Sequence, residues 1–453
     1  MPSVQYPPGT KGTFVTGSAG EFAAQRLDFI KHCREQYGDM VYFRLFNRHA
    51  YLLNDPDHVR FVLVEHPELF HKTPLFKKNT RSLIGNGLLT SEGDFHKRQR
   101  KLAQPAFHHQ RINAYGEVMV DYTRRMLADW QAGQRTDIHD AMMHLTMAIV
   151  ARTLFNADVT QEAAQLGEAI TAGLHYVTRR TAQPLALPNW VPTPANRTAK
   201  RHINLLNGTI DRIIAEHRAS GVDSGDLLSM LMEAQDENGE QMDDVQLRHE
   251  AMTIFIAGHE TTANALTWAL YLVTQHPDVE RRLQEEVDAF DGAVLTTHDL
   301  ARLPYTDMII KETMRLYPPA WIVPRLAIAD FELGGYRIRK DSVLFTSPYT
   351  MQRHPRYYEQ PERFIPERWT SEMEKALPKY AYFPFGGGPR VCIGNGFAML
   401  EARLILATIA QRWQLVLETD SLPVPEPVVT LRPKHGIWMR PQLRQTQAQL
   451  LAV

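Results

Sequence analysis

The chain has 453 residues, of which 50 are lysine or arginine and 51 are aspartate or glutamate, so its formal net charge is −1 at pH 7. This balance excludes the strongly basic surface that is typical of a nucleic-acid-binding protein. With 44% hydrophobic and 22% charged residues the composition is that of a globular protein, and a chain of this length has enough core to enclose a large apolar ligand.

The pattern along the chain predicts one domain, residues 1–453, with a large helical body and small sheets at its side. Residues 1–20 are predicted to form an irregular N-terminal segment. Met40 to Asn54 alternates apolar and polar residues around Asn47-Arg48, which predicts a hairpin. The predicted β-rich parts are residues 21–70 and 326–350, the predicted helical parts are residues 94–320 and 395–413, and short strands are predicted at 427–432 and 436–439.

The longest predicted helix runs from Asp244 to Gln275 and would cross a whole domain. Its centre, Ala257-Gly258-His259-Glu260-Thr261-Thr262, is a poor helix sequence. Glycine costs roughly 1 kcal/mol there relative to alanine, and a threonine hydroxyl can bond the preceding turn and bend the helix. A weakened centre in a long helix indicates either a need for room or a function at that place. The zinc-binding pattern H-E-x-x-H is excluded because residue 263 is alanine.

The two cysteines and the N-terminus limit the possible cofactors and locations. Cys33 and Cys392 are too few for a disulfide scaffold, a zinc site made only of cysteine or a four-cysteine iron–sulfur cluster. The first nine residues lack the pattern of a signal peptide, and no run of 18 apolar residues predicts a membrane span. We therefore expect a cytoplasmic protein that does not bind a membrane.

One cysteine lies in a glycine-rich loop that opens a helix, Phe385-Gly386-Gly387-Gly388-Pro389-Arg390-Val391-Cys392-Ile393-Gly394. Backbone N–H groups, the helix N-terminus and Arg390 would each stabilise a thiolate there, and the glycines let a flat, bulky group approach. A buried structural cysteine is the alternative. The loop lacks the Lys-Ser/Thr pair of a phosphate loop, and covalent haem attachment needs a second cysteine. A single axial thiolate on haem iron is therefore the functional interpretation.

Residues 385–394 resemble the haem-binding loop of the cytochrome P-450 superfamily. Three further motifs occur in the order and spacing of that family: Ala257 to Thr262 on the long helix, Glu312-Thr313-Met314-Arg315, and Pro361-Glu362-Arg363-Phe364. Each motif is weak evidence alone, but coincidence does not account for four motifs in the order and spacing of the family. The resemblance implies the P-450 fold, mainly α with small β-sheets (α+β), with haem b between the long helix and the cysteine loop.

The resemblance also implies which residues hold the haem. Cys392 is implied to be the iron ligand, and its electron donation would favour cleavage of the O–O bond. Arg325 and Arg390 are implied to bind the haem propionates, as are His96 and Arg100, which lie four apart on one helix face. A solvated basic face is the alternative for Arg100. The other implied haem-binding residues are Ala257, Gly258, Phe385, Gly386 and Gly394.

Five further residues have implied roles in structure or catalysis. Glu312, Arg315 and Arg363 are implied to form a buried ion-pair network under the haem, which is structural; breaking it should cost about 3–5 kcal/mol. Glu260 and Thr261 are the implied catalytic pair, a carboxylate and a hydroxyl that deliver protons to oxygen in a site that otherwise excludes water.

The expected substrate is hydrophobic and oriented by shape, because most implied contact residues are apolar. We expect a terpenoid or another polycyclic lipid; the alternative within the family is a fatty acid. Arg179 and Arg180 could anchor a carboxylate, or they could be solvated surface residues. The expected substrate-binding residues are Leu83, Ile84, Leu88, Ile254, Trp321, Ile322, Val323 and Ile437.

The resulting prediction is a monooxygenase that converts R–H, O₂, two electrons and two protons into R–OH and water. A separate ferredoxin or flavodoxin with its reductase is expected to dock near Arg98 and Lys101, and the protein is expected to be a monomer. The Glu260-Thr261 pair argues against a haem-thiolate peroxygenase or isomerase. A haem-thiolate sensor or binding protein without turnover is the alternative outside enzymology.

Overall fold

The structure is a computed structural model, and it describes residues 5–183, 187–220, 225–237, 239–418 and 422–444. The first four residues of the predicted irregular N-terminal segment lie outside this range.

Helices make up most of the molecule. In chain order they are α1 (Ala19–Ala24), α2 (Arg26–Tyr37), α3 (Pro56–Arg60), α4 (Pro74–Ile84), α5 (Gly93–Ala103), α6 (His109–Ala128), α7 (Ile138–Phe155), α8 (Ala163–Ala182), α9 (Pro194–Ser220), α10 (Leu227–Glu233), α11 (Asp244–Thr274), α12 (Pro277–Asp288), α13 (Pro304–Leu316), α14 (Pro348–Met351), α15 (Ser371–Ala376) and α16 (Asn395–Arg412).

The described residues form the strands β1 (Met40–Leu45), β2 (Arg48–Leu53), β3 (Phe70–His71), β4 (Thr136–Asp137), β5 (Val323–Ala327), β6 (Phe331–Leu333), β7 (Tyr336–Ile338), β8 (Val343–Thr346), β9 (Trp413–Leu417), β10 (Pro425–Pro427), β11 (Leu431–Pro433) and β12 (Trp438–Leu443). In this part of the chain they make one five-stranded sheet and three smaller ones. The large sheet has the order β1-β2-β8-β5-β3, in which β2 and β8 are parallel and the other neighbours are antiparallel. The smaller sheets are β4-β12-β9, β6-β7 and β10-β11.

The prediction of a mainly α protein with small sheets is confirmed. The predicted hairpin is β1 and β2, in which Leu45 pairs with Arg48 across the turn. The prediction that residues 21–70 are β-rich was incomplete, because α2 and α3 also lie there. α2 buries Phe29, Ile30 and Cys33 against the large sheet, so this helix is the layer that covers one face of the strands.

The central helix α11 has 31 residues, so it is about 46 Å long at ~1.5 Å per residue. At its N-terminus the Asp243 carboxylate accepts a hydrogen bond from the backbone N–H of Gln246 at 2.7 Å. The helix packs along α7 and also contacts α9, α13 and α16. It stays α-helical through residues 257–262. A Cβ at Gly258 would lie 3.1 Å from Val150 of α7, so glycine permits this close packing.

Within the described segments, three clusters of buried apolar side chains hold the elements together. The largest lies among the helices, and the two smaller clusters contain residues of β1, β2, β5 and β8. Among the described residues, no helix is both long enough and apolar enough to cross a membrane. The candidate functional site is a cavity that lies along α11, where the helical body meets β5 of the large sheet.

Candidate functional site

The loop before α16 has a backbone that only glycine adopts easily. Gly386 and Gly388 have φ of 72° and 63°, in the left-handed region. A Cβ at Gly388 would also lie 1.9 Å from the carbonyl oxygen of Leu63. Within the loop, the N–H of Cys392 donates to the carbonyl of Phe385 at 2.9 Å. The loop is therefore a compact turn that presents the cysteine just before α16 begins at Asn395.

Cys392 faces the cavity and its side chain is exposed there, although protein atoms surround it closely. Burial raises the pKa of the Cys392 thiol; the backbone N–H of Gly394 and the charge of Arg100 oppose this rise. The expectation that Arg390 is the nearby cation was wrong. Arg100 donates to the carbonyl of Val391 at 2.7 Å, whereas Arg390 pairs with Glu92.

The other cysteine, Cys33, is buried in the sheet core, and burial raises its pKa to about 12.

The cavity has a volume of about 430 Å³ and lies between α11 and the cysteine loop. Its surface is mostly apolar. The described lining residues from the predicted substrate and haem sets are Leu83, Ile84, Leu88, His96, Arg100, Ile254, Ala257, Gly258, Glu260, Thr261, Ile322, Val323, Arg325, Phe385, Gly386, Arg390, Cys392 and Gly394. Gly386 contributes open space, because a Cβ built there meets no protein atom within 4 Å. One space therefore joins the cysteine, the central helix and an apolar wall.

Two predicted substrate contacts lie elsewhere. Trp321 is buried in the core of the large sheet, and its indole Nε1 donates to the carbonyl of Val428 at 3.0 Å. Ile437 is 2% exposed and packs in the helical core. The turn between β10 and β11 lines the cavity instead, through Val429 and Thr430. This turn belongs to the C-terminal part of the chain, as expected, but lies seven residues before the predicted contact at Ile437.

A cluster of basic side chains, called here the cation cluster after its arginines, borders the cavity beside the cysteine loop. Its members are Lys72, His96, Arg100, Arg325 and Arg390. Glu92 is the carboxylate paired with Arg390. Burial lowers the pKa of Lys72 to about 7 and that of His96 to about 3, and the charge of Arg390 adds to both effects. Burial also lowers the pKa of Arg325 to about 10. His96 is therefore neutral at pH 7 and can donate a hydrogen bond, while the three arginines stay charged. Such a cluster fits an anionic ligand, because an anion would offset the mutual repulsion of the arginines.

These observations match what haem requires of the protein. The cavity offers one sulfur atom as an iron ligand, a loop with open space at Gly386, and several cations for two carboxylates. Sequence reasoning missed Lys72. It directly follows β3, which pairs with β5, the strand that carries Arg325. The position of Lys72 therefore depends on a long-range strand pairing that no local motif records.

Glu260 and Thr261 line the same cavity from α11. The Thr261 hydroxyl donates to the carbonyl of Ala257 at 2.8 Å. Glu260 is 3% exposed, and its Oε1 accepts a hydrogen bond from the Thr430 hydroxyl at 2.7 Å. Burial raises the pKa of Glu260 to about 7, although the Thr430 hydrogen bond and the charge of Arg432 oppose this rise. The carboxyl group is therefore poised to take up and release a proton near neutral pH.

The ion-pair network around Glu312 has a different third member from the one expected. Arg315 donates to both oxygens of Glu312 at 2.8 Å, and both side chains are fully buried. Arg363 contributes only its backbone carbonyl, which accepts from Arg315 at 2.9 Å, while its side chain bonds the exposed Gln360. Arg368 supplies the additional charge, with Nε 3.0 Å from Glu312.

The two basic residues expected to receive a redox partner are already paired with acids. Arg98 donates to Asp236 at 2.6 Å, and Lys101 donates to Glu237 at 2.6 Å. The acidic partners follow α10, which packs near α5. Both basic side chains therefore have a carboxylate neighbour in the folded chain, and docking of a redox partner near Arg98 and Lys101 stays a prediction. Arg179 and Arg180 are not among the residues that line the cavity; Arg180 donates to the carbonyl of Leu187.

Comparison with known proteins agrees with this geometry. The family model for Cytochrome P450 matches residues 7–439. Cyclooctat-9-en-7-ol 5-monooxygenase of Streptomyces melanosporofaciens is 39% identical over 385 residues, or 84% of this chain and 83% of that protein. Pentalenene oxygenase of Streptomyces avermitilis is 35% identical over 409 residues, or 90% of each. Retinoic-acid-bound cyanobacterial CYP120A1 has a TM-score of 0.87 at 27% identity, and the match covers 98% of this chain and 100% of that one.

The chain belongs to the cytochrome P450 family, and its fold is the P450 fold. It is a monooxygenase with a haem-iron cofactor, and it uses O₂ and a redox partner to oxidise a hydrophobic substrate. The prediction of family and enzyme class from the four motifs is confirmed.

Proposed function

We propose that this monooxygenase hydroxylates a terpenoid or a similar polycyclic lipid, with haem b as its cofactor. The observation that carries the proposal is that a single cavity joins Cys392, the cation cluster, the Glu260-Thr261 pair and a mostly apolar wall. The reaction consumes R–H, O₂, two electrons and two protons and yields R–OH and water. Each of these four parts of the cavity has a distinct task.

The cation cluster and the cysteine would hold the cofactor. Cys392 would ligate the iron, and Arg325, Arg390, Arg100 and His96 would meet the two propionates of haem b. When bound, the haem supplies the redox-active iron that activates O₂. Because Cys392 and the cation cluster border the same cavity, the porphyrin would lie between α11 and the loop.

Glu260 and Thr261 would supply protons. Burial raises the pKa of Glu260 to about 7, so a carboxylic acid is available at neutral pH in a cavity whose wall is mostly apolar. While its one hydrogen is donated to Ala257, the Thr261 hydroxyl can accept a hydrogen bond on the cavity side, and it would donate there only by releasing Ala257. Together they would let protons enter without letting bulk water in.

Several observations favour a compact, neutral substrate over a fatty acid. Among the described lining residues, the cations belong to the cluster at the cysteine loop, where the haem propionates would use them. Arg179 and Arg180, the other candidates for a carboxylate anchor, are not among the lining residues. Two similar proteins are a monooxygenase of cyclooctat-9-en-7-ol and an oxygenase of pentalenene. The remaining wall is apolar and would orient a substrate by shape.

A panel of terpenes, steroids and fatty acids tests the substrate class. Each compound is titrated into the ferric holoenzyme while the spin-state change of the iron is followed, and products are then identified for the compounds that bind. We expect terpenes or other polycyclic lipids to bind more tightly than fatty acids. Tighter binding and turnover of a linear fatty acid would contradict the proposed substrate class.

The proton-delivery role distinguishes a monooxygenase from a haem-thiolate sensor. Thr261→Val should raise hydrogen peroxide release at the expense of product while substrate affinity stays the same. Thr267→Val is the matched control, since Thr267 is buried on α11 but donates only to Ala263 at 2.7 Å. Unchanged coupling in Thr261→Val would remove the relay assignment.

We expect a separate ferredoxin or flavodoxin with its reductase to supply electrons; the monomeric state and the cytoplasmic location stay predictions.

A further inference from the structure

A buried chain of hydrogen bonds runs from the catalytic carboxyl group into the protein. The Thr430 hydroxyl is 2.7 Å from Glu260 Oε1, and Asn264 Nδ2 is 3.3 Å from Thr430 Oγ1. At its far end, Asn264 Oδ1 is 3.1 Å from His139 Nε2. All four side chains are buried. They come from α7, α11 and the turn between β10 and β11.

The direction of each hydrogen bond in this chain follows from its donors. Asn264 Nδ2 can only donate, so the Thr430 oxygen accepts from it. Thr430 has one hydroxyl hydrogen, and this hydrogen is therefore free for Glu260. The opposite orientation of the Asn264 amide would leave Asn264 Oδ1 and Glu260 Oε1 competing for that one hydrogen. At the far end, neutral His139 donates; burial lowers its pKa to about 4.

The backbone around Thr430 is fixed from two sides. The indole Nε1 of Trp321 donates to the carbonyl of Val428 at 3.0 Å, and the indole Nε1 of Trp268 donates to the carbonyl of Leu431 at 3.2 Å. Trp268 lies on α11, the helix that carries Glu260. The Thr430 hydroxyl is therefore held at a set position relative to Glu260, and Trp321 contributes to the site from a distance although it does not line the cavity.

We propose that Thr430 is a positioning residue for proton delivery. Its hydroxyl donates a hydrogen bond to Glu260 Oε1, so that Oε2 is the oxygen that holds and releases the proton. The proposal rests on the proposed role of Glu260. Arg432 is the charged group that acts on Glu260 from β11, and Glu426 lies 3.6 Å from Arg432. Because Val429 and Thr430 line the cavity, the turn that contacts substrate also orients the acid.

Three variants of the holoenzyme test this role. Thr430→Val removes the hydroxyl but keeps the shape, and Thr430→Ser keeps the hydroxyl. Thr267→Val removes a buried hydroxyl of α11 that donates to the carbonyl of Ala263 and not to Glu260, so it reports the general cost of such a change. The protonation of Glu260 is followed by infrared difference spectroscopy during a pH titration, and its carboxyl band is identified by its loss in Glu260→Gln.

We expect the titration midpoint of Glu260 to rise by about one pH unit in Thr430→Val, because a hydrogen bond to the charged form is lost. Thr430→Ser and Thr267→Val should stay close to the wild-type midpoint. Peroxide release should rise in Thr430→Val and return towards the wild-type level in Thr430→Ser. An unchanged midpoint in Thr430→Val, or a serine variant that shifts it as much as valine does, overturns the proposal.

The failure of the proposed function has a different signature. If Glu260 carries no proton to oxygen, Glu260→Gln leaves peroxide release unchanged, and the infrared midpoint in Thr430→Val still shifts. If Thr430 does not position Glu260 through its hydrogen bond, the infrared midpoint in Thr430→Val equals that of the wild type, while Glu260→Gln still raises peroxide release.

Discussion

The carboxylate of Glu250, on α11, accepts a hydrogen bond from the backbone N–H of Leu88 at 2.7 Å. Gln246 joins the same contact, because its amide donates to Glu250 at 2.7 Å and to the carbonyl of Asn86 at 3.2 Å. Leu88 lines the cavity, and a Cβ at Gly87 would lie 2.1 Å from the Thr253 hydroxyl. This buried carboxyl group therefore connects the segment of residues 86–88, which borders the cavity, to the central helix by hydrogen bonds.

Glu250 should make the stability of the holoenzyme depend on pH. Burial raises its pKa from 4.5 to about 7, so the folded protein binds the proton between these values while the unfolded chain releases it. Stability therefore falls as pH rises from about 4.5 through 7. In Glu250→Gln the free energy of unfolding should change less steeply with pH over this window. The slope should fall by up to about 1.4 kcal/mol per pH unit, which corresponds to one proton.

Urea unfolding midpoints measured across this pH range check the prediction. Glu117→Gln, on the exposed surface of α6, is the control and should keep the wild-type slope. Glu260 acts in the same direction, since burial also raises its pKa to about 7, so the slope in Glu250→Gln should be reduced and not abolished. An unchanged slope in Glu250→Gln would contradict the account of this contact.

Arg368 and Arg363 should differ sharply in their effect on stability. Arg368→Ala leaves part of the buried Glu312 charge uncompensated and should cost about 3 kcal/mol. Arg363→Ala removes an exposed side chain but leaves its backbone carbonyl on Arg315, so it should cost less than about 0.5 kcal/mol. Thermal and urea unfolding of both holoproteins measure the difference, and equal costs would contradict the assignment of Arg368.

Ile254 and Ile437 allow one substitution to be compared inside and outside the cavity. Ile254→Val enlarges the cavity and should change the binding constants and the product distribution across a terpene panel. Ile437→Val should cost about 1 kcal/mol of stability through lost packing and leave the products unchanged. The decisive measurement is product analysis of both variants with the same compound; altered products in Ile437→Val alone would contradict the cavity boundary.

The cation cluster should control haem retention. Arg325→Leu removes a charge that lies beside Arg390 and Lys72, and should speed haem loss to excess apomyoglobin by about tenfold or more, because a hydrogen bond to a charged group is worth roughly 1.5–3 kcal/mol. Arg180→Leu is the control, because Arg180 is not among the residues that line the cavity. Equal rates of haem loss in the two variants would count against propionate binding by this cluster.

The sequence predicted the parts of the site that lie within single elements. Cys392 lies in a glycine-rich loop, Glu260 and Thr261 lie in an interruption of helix-favouring sequence, and Glu312 and Arg315 lie on one turn of helix; the resemblance to the P-450 family gave these local motifs their roles. In these cases neighbouring residues along the chain are also neighbours in space, so the local pattern contains the geometry.

The missed residues depend on contacts between distant segments. Arg368 replaces Arg363 because the turn at Pro366–Arg368 carries its side chain to Glu312. Lys72 reaches the cavity because β3 pairs with β5. Trp321 fits an apolar substrate contact by composition, but its indole N–H bonds the turn before β11, and this contact turns it into the sheet core. Such placements follow from tertiary packing, which residue type alone does not determine.

The central claim is that the Cys392 thiolate binds the iron of a non-covalently held haem. The most direct measurement is the absorption spectrum of the reduced carbon monoxide complex of the purified holoprotein. We predict a thiolate-type spectrum that is lost in Cys392→Ala and kept in Cys33→Ala, whose sulfur is buried in the sheet core. An imidazole-type spectrum in the wild type, or a thiolate-type spectrum that survives in Cys392→Ala, would contradict the account.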